Sequence, residues 1–511
     1  MVTQAALIDQ RPEQPNIEQD VRANAPRSTA WILFILSFIA VMPFWTVRYP
    51  VMTDYPNHLA RWFVLFHIKD GAYRFADLYA PAWGLLPYIS PDILAMVLQH
   101  FLPIDIVGRC ALSLCVILVA CAMYFFLREA CPENSALASF GILVAFNPMF
   151  LMGSISYMFS LAFCLLVVGL WVNYCRVPKV MTAVSISAGL LLVYFSHVFG
   201  FAVAGLAMGV YGLFQEERWK KLAILALLSL PALSIFVYNP SHAGIGGALD
   251  YTGLTVLDKL RHLIFPLRLY ASKRLDLLFL TGLALFVFLV LKKRPKFVVQ
   301  PVWLAVCAIL LLAYSLAPGF YGLGGYIDLR FLSFAYVFLP AVIRFIPVPR
   351  WMYTSLVLLV LLRVATWEQL FISQQPELQQ LTASFEVIPR NAKILPLTRG
   401  PAKGIIGTAG LHHLDYGVIL RGFLDPQLFH LPGVQPIRIV GSPYCVDILC
   451  NVADAPSIDW QRVADSYEYL WEYNDPEIRT FASRIGDAIF SNNSVTVYRI
   501  RHRGPSVLQT E

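Results

Sequence analysis

The chain alternates apolar runs with short polar connections. Eleven such runs stand out, at 30–48, 108–127, 135–152, 155–174, 180–198, 199–215, 221–238, 276–292, 301–318, 331–346 and 351–367. Each is about long enough to carry a helix across a hydrocarbon core of ~30 Å. The pattern predicts an α-helical polytopic membrane protein with about eleven spans. After Trp367 the hydropathy falls, and the remainder reads as a soluble α/β mixture. There, period-two patterning predicts strands at 393–397, 416–420, 437–440, 467–473 and 495–500, with helices near 375–387, 459–464 and 475–484.

An odd number of spans puts the two ends of the chain on opposite faces. With the N-terminus in the cytoplasm, the inside loops hold Arg128, then Arg176 and Lys179, then Arg218, Lys220 and Lys221, then Lys292, Lys293, Arg294 and Lys296, then Arg344 and Arg350. That distribution follows the positive-inside rule. Two outside loops are long, 49–107 and 239–275, and in the second the stretch 255–270 has the spacing of an amphipathic helix lying at the interface. The expected organisation is a cytoplasmic tail (1–28), a membrane domain with its large outer loops (29–367), and an extracytoplasmic α/β domain (368–511).

Composition agrees with this layout. Hydrophobic residues make up 58% of the chain and charged residues only 14%, against roughly 25% charge in a soluble domain. The net charge of +7 sits mostly in short loops, without the long basic runs or aromatic-basic interleaving of a nucleic-acid binder. The polar first 28 residues, with Pro12, Pro15 and Pro26, place the first apolar run too late for an ordinary cleaved signal peptide, so it reads as a retained anchor. Of nine cysteines, seven lie in or beside spans, while Cys445 and Cys450 lie in the soluble part. In an oxidising compartment these two could form a disulfide closing a short loop; two reduced, buried thiols are the other reading.

The segment richest in chemistry follows the first span: Thr53-Asp54-Tyr55-Pro56-Asn57-His58, with Arg61 three residues further on the face of His58. Pro56 favours an extended entry into a helix beginning near Asn57. A carboxylate held at the water-lipid boundary beside a cation suits a general base that takes the proton of an acceptor hydroxyl. The alternative is an Asp that caps the helix.

In this place the sequence resembles the C-type superfamily of glycosyltransferases (the GT-C fold), polytopic enzymes that use polyprenyl-phosphate-linked sugars. In that superfamily a catalytic acidic residue sits in the first extracytoplasmic loop, as Asp54 does, and the loop continuing through Pro91-Asp92 to Gly108-Arg109 is also similar. Several members carry paired acids there, whereas Tyr55 follows Asp54. The resemblance implies a catalytic role for Asp54. It further implies a phosphate-binding role for Arg330, in the segment 322–331, with Asp328 placed to orient it and Arg61 as a second candidate for the phosphate.

Asn57, His58 and His197, together with His412 and His413 in the soluble part, are further candidates for contact with substrate. Asp415, Arg421 and Gln435 accompany the two adjacent histidines in a Gly- and Pro-rich stretch that could cover the site. No histidine pair has ligand spacing with a carboxylate, so no metal and no cofactor are assigned. A divalent cation, used by some relatives, would have Asp54 as its one obvious contact.

The expected activity is transfer of a sugar from a polyprenyl-phosphate donor to a lipid or glycan acceptor, inverting, at the outer face of a bacterial-type inner membrane and among its lipids. Two other readings stand beside it, a transporter or flippase and a non-catalytic subunit of an envelope assembly system. Transport is disfavoured because the ionisable groups gather in outer loops and not on broken mid-membrane repeats.

Overall fold

A computed structural model describes residues 27–239, 249–251, 254–269, 272–321, 324–398, 410–441 and 455–501. Cys445 and Cys450, and with them the disulfide expectation, lie outside the described residues.

The chain is mostly helical. Its helices are α1 (Arg27–Val41), α2 (Tyr55–His67), α3 (Ser90–Leu98), α4 (Ile104–Ala130), α5 (Phe140–Ala145), α6 (Pro148–Met152), α7 (Ile155–Arg176), α8 (Val180–Ser196), α9 (Val198–Leu213), α10 (Arg218–Tyr238), α11 (Val256–His262), α12 (Lys273–Lys293), α13 (Pro301–Leu316), α14 (Ile327–Val342), α15 (Arg350–Ala383), α16 (Asp415–Arg421), α17 (Trp460–Ser466) and α18 (Pro476–Ile485). Five of them, α4, α7, α10, α12 and α15, are long and apolar enough to cross a membrane unaided. Leucines on α10 and α12 such as Leu227 and Leu277 stay exposed, as expected of helices whose outer faces meet lipid.

The run at 135–152 departs from the expected continuous helix. It is a 3-10 turn (Pro132–Leu137) followed by the short α5 and α6. Asn147-Pro148 interrupts the helix, and Gly153, at φ 98°, ends it. One end is anchored by Asn134, whose Nδ2 donates to the carbonyls of Pro340 (2.7 Å) and Ile343 (2.5 Å) at the close of α14. The other end meets the first loop, where the Asp54 N–H donates to Met152 O at 2.7 Å and Thr53 N–H to Leu151 O at 3.2 Å. Backbone freed inside a membrane domain must find internal partners. Arg363 of α15, fully buried, supplies them by donating from Nε (3.1 Å) and Nη2 (2.5 Å) to Phe146 O at the break.

Strands are short: β1 (Tyr79–Pro81), β2 (Leu249–Asp250), β3 (Phe297–Val299), β4 (Phe320–Tyr321), β5 (Gly324–Gly325), β6 (Ile343–Phe345), β7 (Ile394–Thr398), β8 (Ile437–Ile439), β9 (Tyr469–Tyr473), β10 (Gly486–Ser491) and β11 (Val495–Ile500). The largest sheet runs in the order β10-β11-β9-β7, with β7 and β9 parallel. Period-two alternation divides its faces. Trp471, Val495 and Val497 join the core shared with the membrane helices, while Leu395, Leu470 and Ile500 pack a small separate core with α17 and α18. α15 extends without interruption past the expected boundary at 368, and Trp471 Nε1 donates to Ser384 Oγ just beyond its end.

Two expectations for this region fail. Residues 416–420 are not a strand but lie in α16, which stops at Gly422 in the left-handed conformation (φ 75°). Their β-branched and aromatic content misleads because the segment is helical against α2 and not a sheet member. β10, missed in the sequence, forms a bulged hairpin with β11.

The amphipathic stretch after Thr255 is α11, begun by a capping box between Thr255 and Asp258. Val256, Leu257 and Leu260 are exposed, but the helix ends at His262, shorter than expected, and Pro266 follows in a 3-10 turn.

Candidate active site at the membrane boundary

Asp54 stands at the N-cap of α2 but makes no capping bond with its side chain. The backbone there is set by the broken crossing, not by the carboxylate. A Cβ on Gly153 would lie 2.8 Å from Tyr55 N and 3.0 Å from Asp54 N, so the absence of a side chain lets the two segments meet. The carboxyl is therefore free to act. Burial raises its pKa to about 7, opposed by the charge of Arg330.

Arg330 lies one turn into α14, its Nη1 2.6 Å from His197 Nε2. His197 joins α8 to α9, and its Nδ1 accepts from Phe199 N–H at 3.1 Å. A neutral ring that accepts at Nδ1 carries its proton at Nε2. Two donors therefore face one another, and Arg330 Nε is also buried with no partner among the described residues. Tyr157 packs its ring against the guanidinium (5.7 Å) and donates to Arg330 O. Tyr88 sets its ring edge-to-face on His197 at 4.4 Å. It does so from a left-handed backbone (φ 71°), a conformation that costs free energy in a bulky residue.

The third part comes from the C-terminal segment. His412 Nε2 lies 3.8 Å from Asp54 Oδ1, and its Nδ1 lies 3.6 Å from Asp415 Oδ2. Phe429 packs edge-to-face on both His412 (5.3 Å) and His58 (5.8 Å). Burial lowers His412 to about 4, and it also lowers His58, where Arg61 adds to the shift. Asp415 and Asp425 are buried together and both pushed up by desolvation, Asp425 to about 7.

Asp54, His58, His197, Arg330 and His412 are thus brought into one region. Other expected contacts serve the frame. Arg61, expected at the phosphate, donates from Nε to Asp92 (2.8 Å) and from Nη2 to His58 (3.0 Å), a buried pair that holds the first loop. Asp328 pairs with Lys259 Nζ at 2.7 Å, tying α11 to α14, and does not orient Arg330.

Asn57 donates to Gln427 O and accepts from Phe429 N–H, so it fastens the C-terminal segment to α2 and is not free for substrate. His413, fully buried, contacts Thr382 Oγ1 at 2.8 Å and packs on Tyr49 and Tyr416. Asp425 and Tyr88 were missed in the sequence; a left-handed tyrosine before Ser90-Pro91 leaves no local signature. The clasp between outer loop and C-terminal segment is completed by β1 pairing with β8 and by Tyr79 OH donating to Asp425 O at 2.8 Å.

Among the described residues no group of three or more His, Cys, Asp or Glu side chains converges to hold a metal ion.

The fold is similar to that of a solved structure. The structure of ArnT from Cupriavidus metallidurans bound to undecaprenyl phosphate superposes with a TM-score of 0.52 and 10% identity, covering 92% of this chain and 97% of that one. A mutant arabinofuranosyltransferase AftD from Mycobacteria has a TM-score of 0.40 and 12% identity, covering 91% of this chain and 41% of that one. No family model matches the sequence, and no curated protein matches it.

Proposed function

We propose that the chain is a membrane glycosyltransferase that moves a sugar from a polyprenyl-phosphate donor to a lipid or glycan acceptor at the outer face of the inner membrane. The observation that carries this reading is an uncapped, half-buried carboxyl, Asp54, that feels the charge of a half-buried guanidinium, Arg330, whose neighbour His197 presents a second donor. An anion placed between two facing donors relieves their conflict and receives charge-assisted hydrogen bonds from both. The likeness to a protein bound to undecaprenyl phosphate is consistent with a phosphate on a long isoprenoid as that anion.

In the proposed step Asp54 takes the proton of the acceptor hydroxyl. The hydroxyl oxygen forms the new bond to the anomeric carbon, and the bond from that carbon to the phosphate oxygen breaks. The electron pair leaves with the lipid phosphate, whose developing charge Arg330 and His197 Nε2–H stabilise. Direct displacement inverts the anomeric centre.

The topology that serves this chemistry has eleven crossings, the third built from the broken 132–152 segment. The N-terminus is cytoplasmic and the sheet of β7, β9, β10 and β11 extracytoplasmic. The division into a 1–28 tail, a 29–367 membrane domain and a 368–511 periplasmic domain describes function better than folding, since α15 and the shared core join the last two.

Asp54→Asn tests the base. Transfer assayed with a panel of undecaprenyl-phosphate-linked sugars should fall roughly 100- to 10,000-fold, and full activity in the variant would overturn the role. Because the base must be ionised and titrates at about 7, wild-type transfer should rise with pH through that region.

A further inference from the structure

The buried titratable groups on the C-terminal side of Asp54 exceed what the transfer step uses. His412 lies between Asp54 and Asp415 with one ring nitrogen toward each, at 3.8 and 3.6 Å. Asp415 and Asp425 are each 1% exposed, and two carboxyls side by side in such a place cannot both ionise. Around them stand Asn57 against Asp415, the Gln427 N–H donating to Asp425 Oδ1 at 2.8 Å, and the rings of Tyr79 and Tyr467. The charged groups facing the array from other elements are Asp54 and, beyond it, Arg330 of α14, with His58 and Arg61 from α2. No cation stands between the carboxyl pair and His412 among the described contacts.

We propose that His412, Asp415 and Asp425 form a positioning array for Asp54, in which the carboxyl pair holds one proton in common and presents it to His412 Nδ1. The imidazole then has a single arrangement available. Nδ1 faces the Asp415 carboxyl across 3.6 Å, with neither group holding a hydrogen-bond partner among the described residues, so that a small approach lets Nδ1 accept from the Asp415 hydroxyl while Nε2–H is directed at Asp54. A neutral donor aimed at one oxygen of Asp54 favours its ionised form and fixes its rotation, leaving the other oxygen for the acceptor hydroxyl. Phe429, packed on His412 and His58, keeps the ring from turning.

The array reaches Asp54 only because the C-terminal segment is fastened over the first loop. Asn57 grips Gln427 and Phe429, and Tyr79 grips Asp425. The C-terminal segment is therefore part of the site and not an accessory to it. This inference rests on the reading of Asp54 as the base, but its test does not need a sugar donor.

The test is pH-difference infrared spectroscopy of the full-length protein in detergent, with Asp54→Asn used to assign the Asp54 band. Above the Asp54 titration, at about pH 8 to 9, the wild type should retain a protonated carboxyl absorption that is absent from D415N/D425N. In D415N/D425N, Asp54 should titrate as a single step displaced to lower pH by about one unit, because the negative charge shared by the pair is gone. In His412→Gln the Asp54 titration should be separated from that of the pair.

Carboxyls of Asp415 and Asp425 that both ionise in the ordinary aspartate range, or an Asp54 titration unmoved in all three variants, would overturn the array. Asn conserves the volume of Asp, and His412→Gln alters a partly accessible side chain, so a folding failure in one leaves the other to decide. If Asp54→Asn proves fully active while the couplings appear as described, the base assignment fails and the array stands. Loss of activity in Asp54→Asn without the couplings has the opposite meaning.

Discussion

Arg61 lies two turns into the helix that Asp54 precedes, Arg330 acts on the Asp54 carboxyl from α14, and both are largely withdrawn from water. Arg61 is closed off by Asp92 at 2.8 Å and by His58, and Asp92 accepts a further bond from Trp62 Nε1 at 3.0 Å. Among the described residues Arg330 has no carboxylate in hydrogen-bond contact. It rests against a histidine that also donates, with Tyr157 beneath it. A buried cation that already holds a carboxylate belongs to the scaffold, even though Arg61 Nη1, like Arg330 Nε, has no partner among the described residues, whereas a buried cation facing another donor is arranged for an anion that arrives from outside. The difference lies in hydrogen-bond partners, which residue type and depth in the membrane do not reveal.

The comparison breaks most sharply at Arg330. Arg330→Ala should reduce transfer by roughly 100- to 1,000-fold, the loss typical of removing one preorganised donor from a developing charge. At about pH 5, where Asp54 is protonated, its thermal unfolding should be unchanged or slightly later, because a desolvated charge without a carboxylate partner is removed. A polyprenyl phosphate should delay unfolding of the wild type and have no effect on the variant. A variant that unfolds markedly earlier than wild type would show that Arg330 is scaffold, as Arg61 is.

Arg61→Leu should do the reverse. It leaves Asp92 buried without its cation, at a cost of about 3–5 kcal/mol, so the variant should unfold early and lose activity only in proportion to the folded fraction. In Arg61→Leu/Asp92→Leu much of that loss should be recovered, since replacing both partners removes the uncompensated charge. Denaturation in detergent read by tryptophan fluorescence suffices. A double variant no more stable than Arg61→Leu would mean that the pair is required for more than mutual neutralisation.

The sequence made these two arginines equivalent candidates for a physical reason. Hydropathy and loop charge report where a residue lies relative to the membrane, and that information picks out the apolar helices, five of which are long enough to cross a membrane. Partner choice depends on contacts between segments hundreds of residues apart, such as Asn57 with Phe429, which no local pattern encodes. The same limit explains 135–152. Its apolar content records burial, while Pro148 and Gly153 record that the helix breaks; Asn147 at the break and Arg363 from α15 supply partners for the freed backbone groups. The helix at 415–421 was hidden because β-branched residues packed against α2 look locally like those of a strand.

The smallest effect concerns stability and pH, and it separates Asp54 from ordinary surface carboxylates. Its pKa is raised by burial from 3.8 to about 7 in the folded protein, so between those limits the folded state binds a proton that the unfolded state releases. The stability gained by that proton is complete below the unfolded value and is lost as pH rises through the folded value. Asp54→Asn removes the titration. The variant and the wild type should therefore unfold at similar temperatures near pH 4, and the variant should be the more stable by a few degrees near pH 8, where the wild type holds a desolvated carboxylate. Arg330 limits the size of the difference by partly compensating that charge. Placing Arg330→Ala in the same background should enlarge it, because without the guanidinium the buried carboxylate is less well tolerated; an unchanged pH dependence there would show that the two groups are too far apart to act on one substrate.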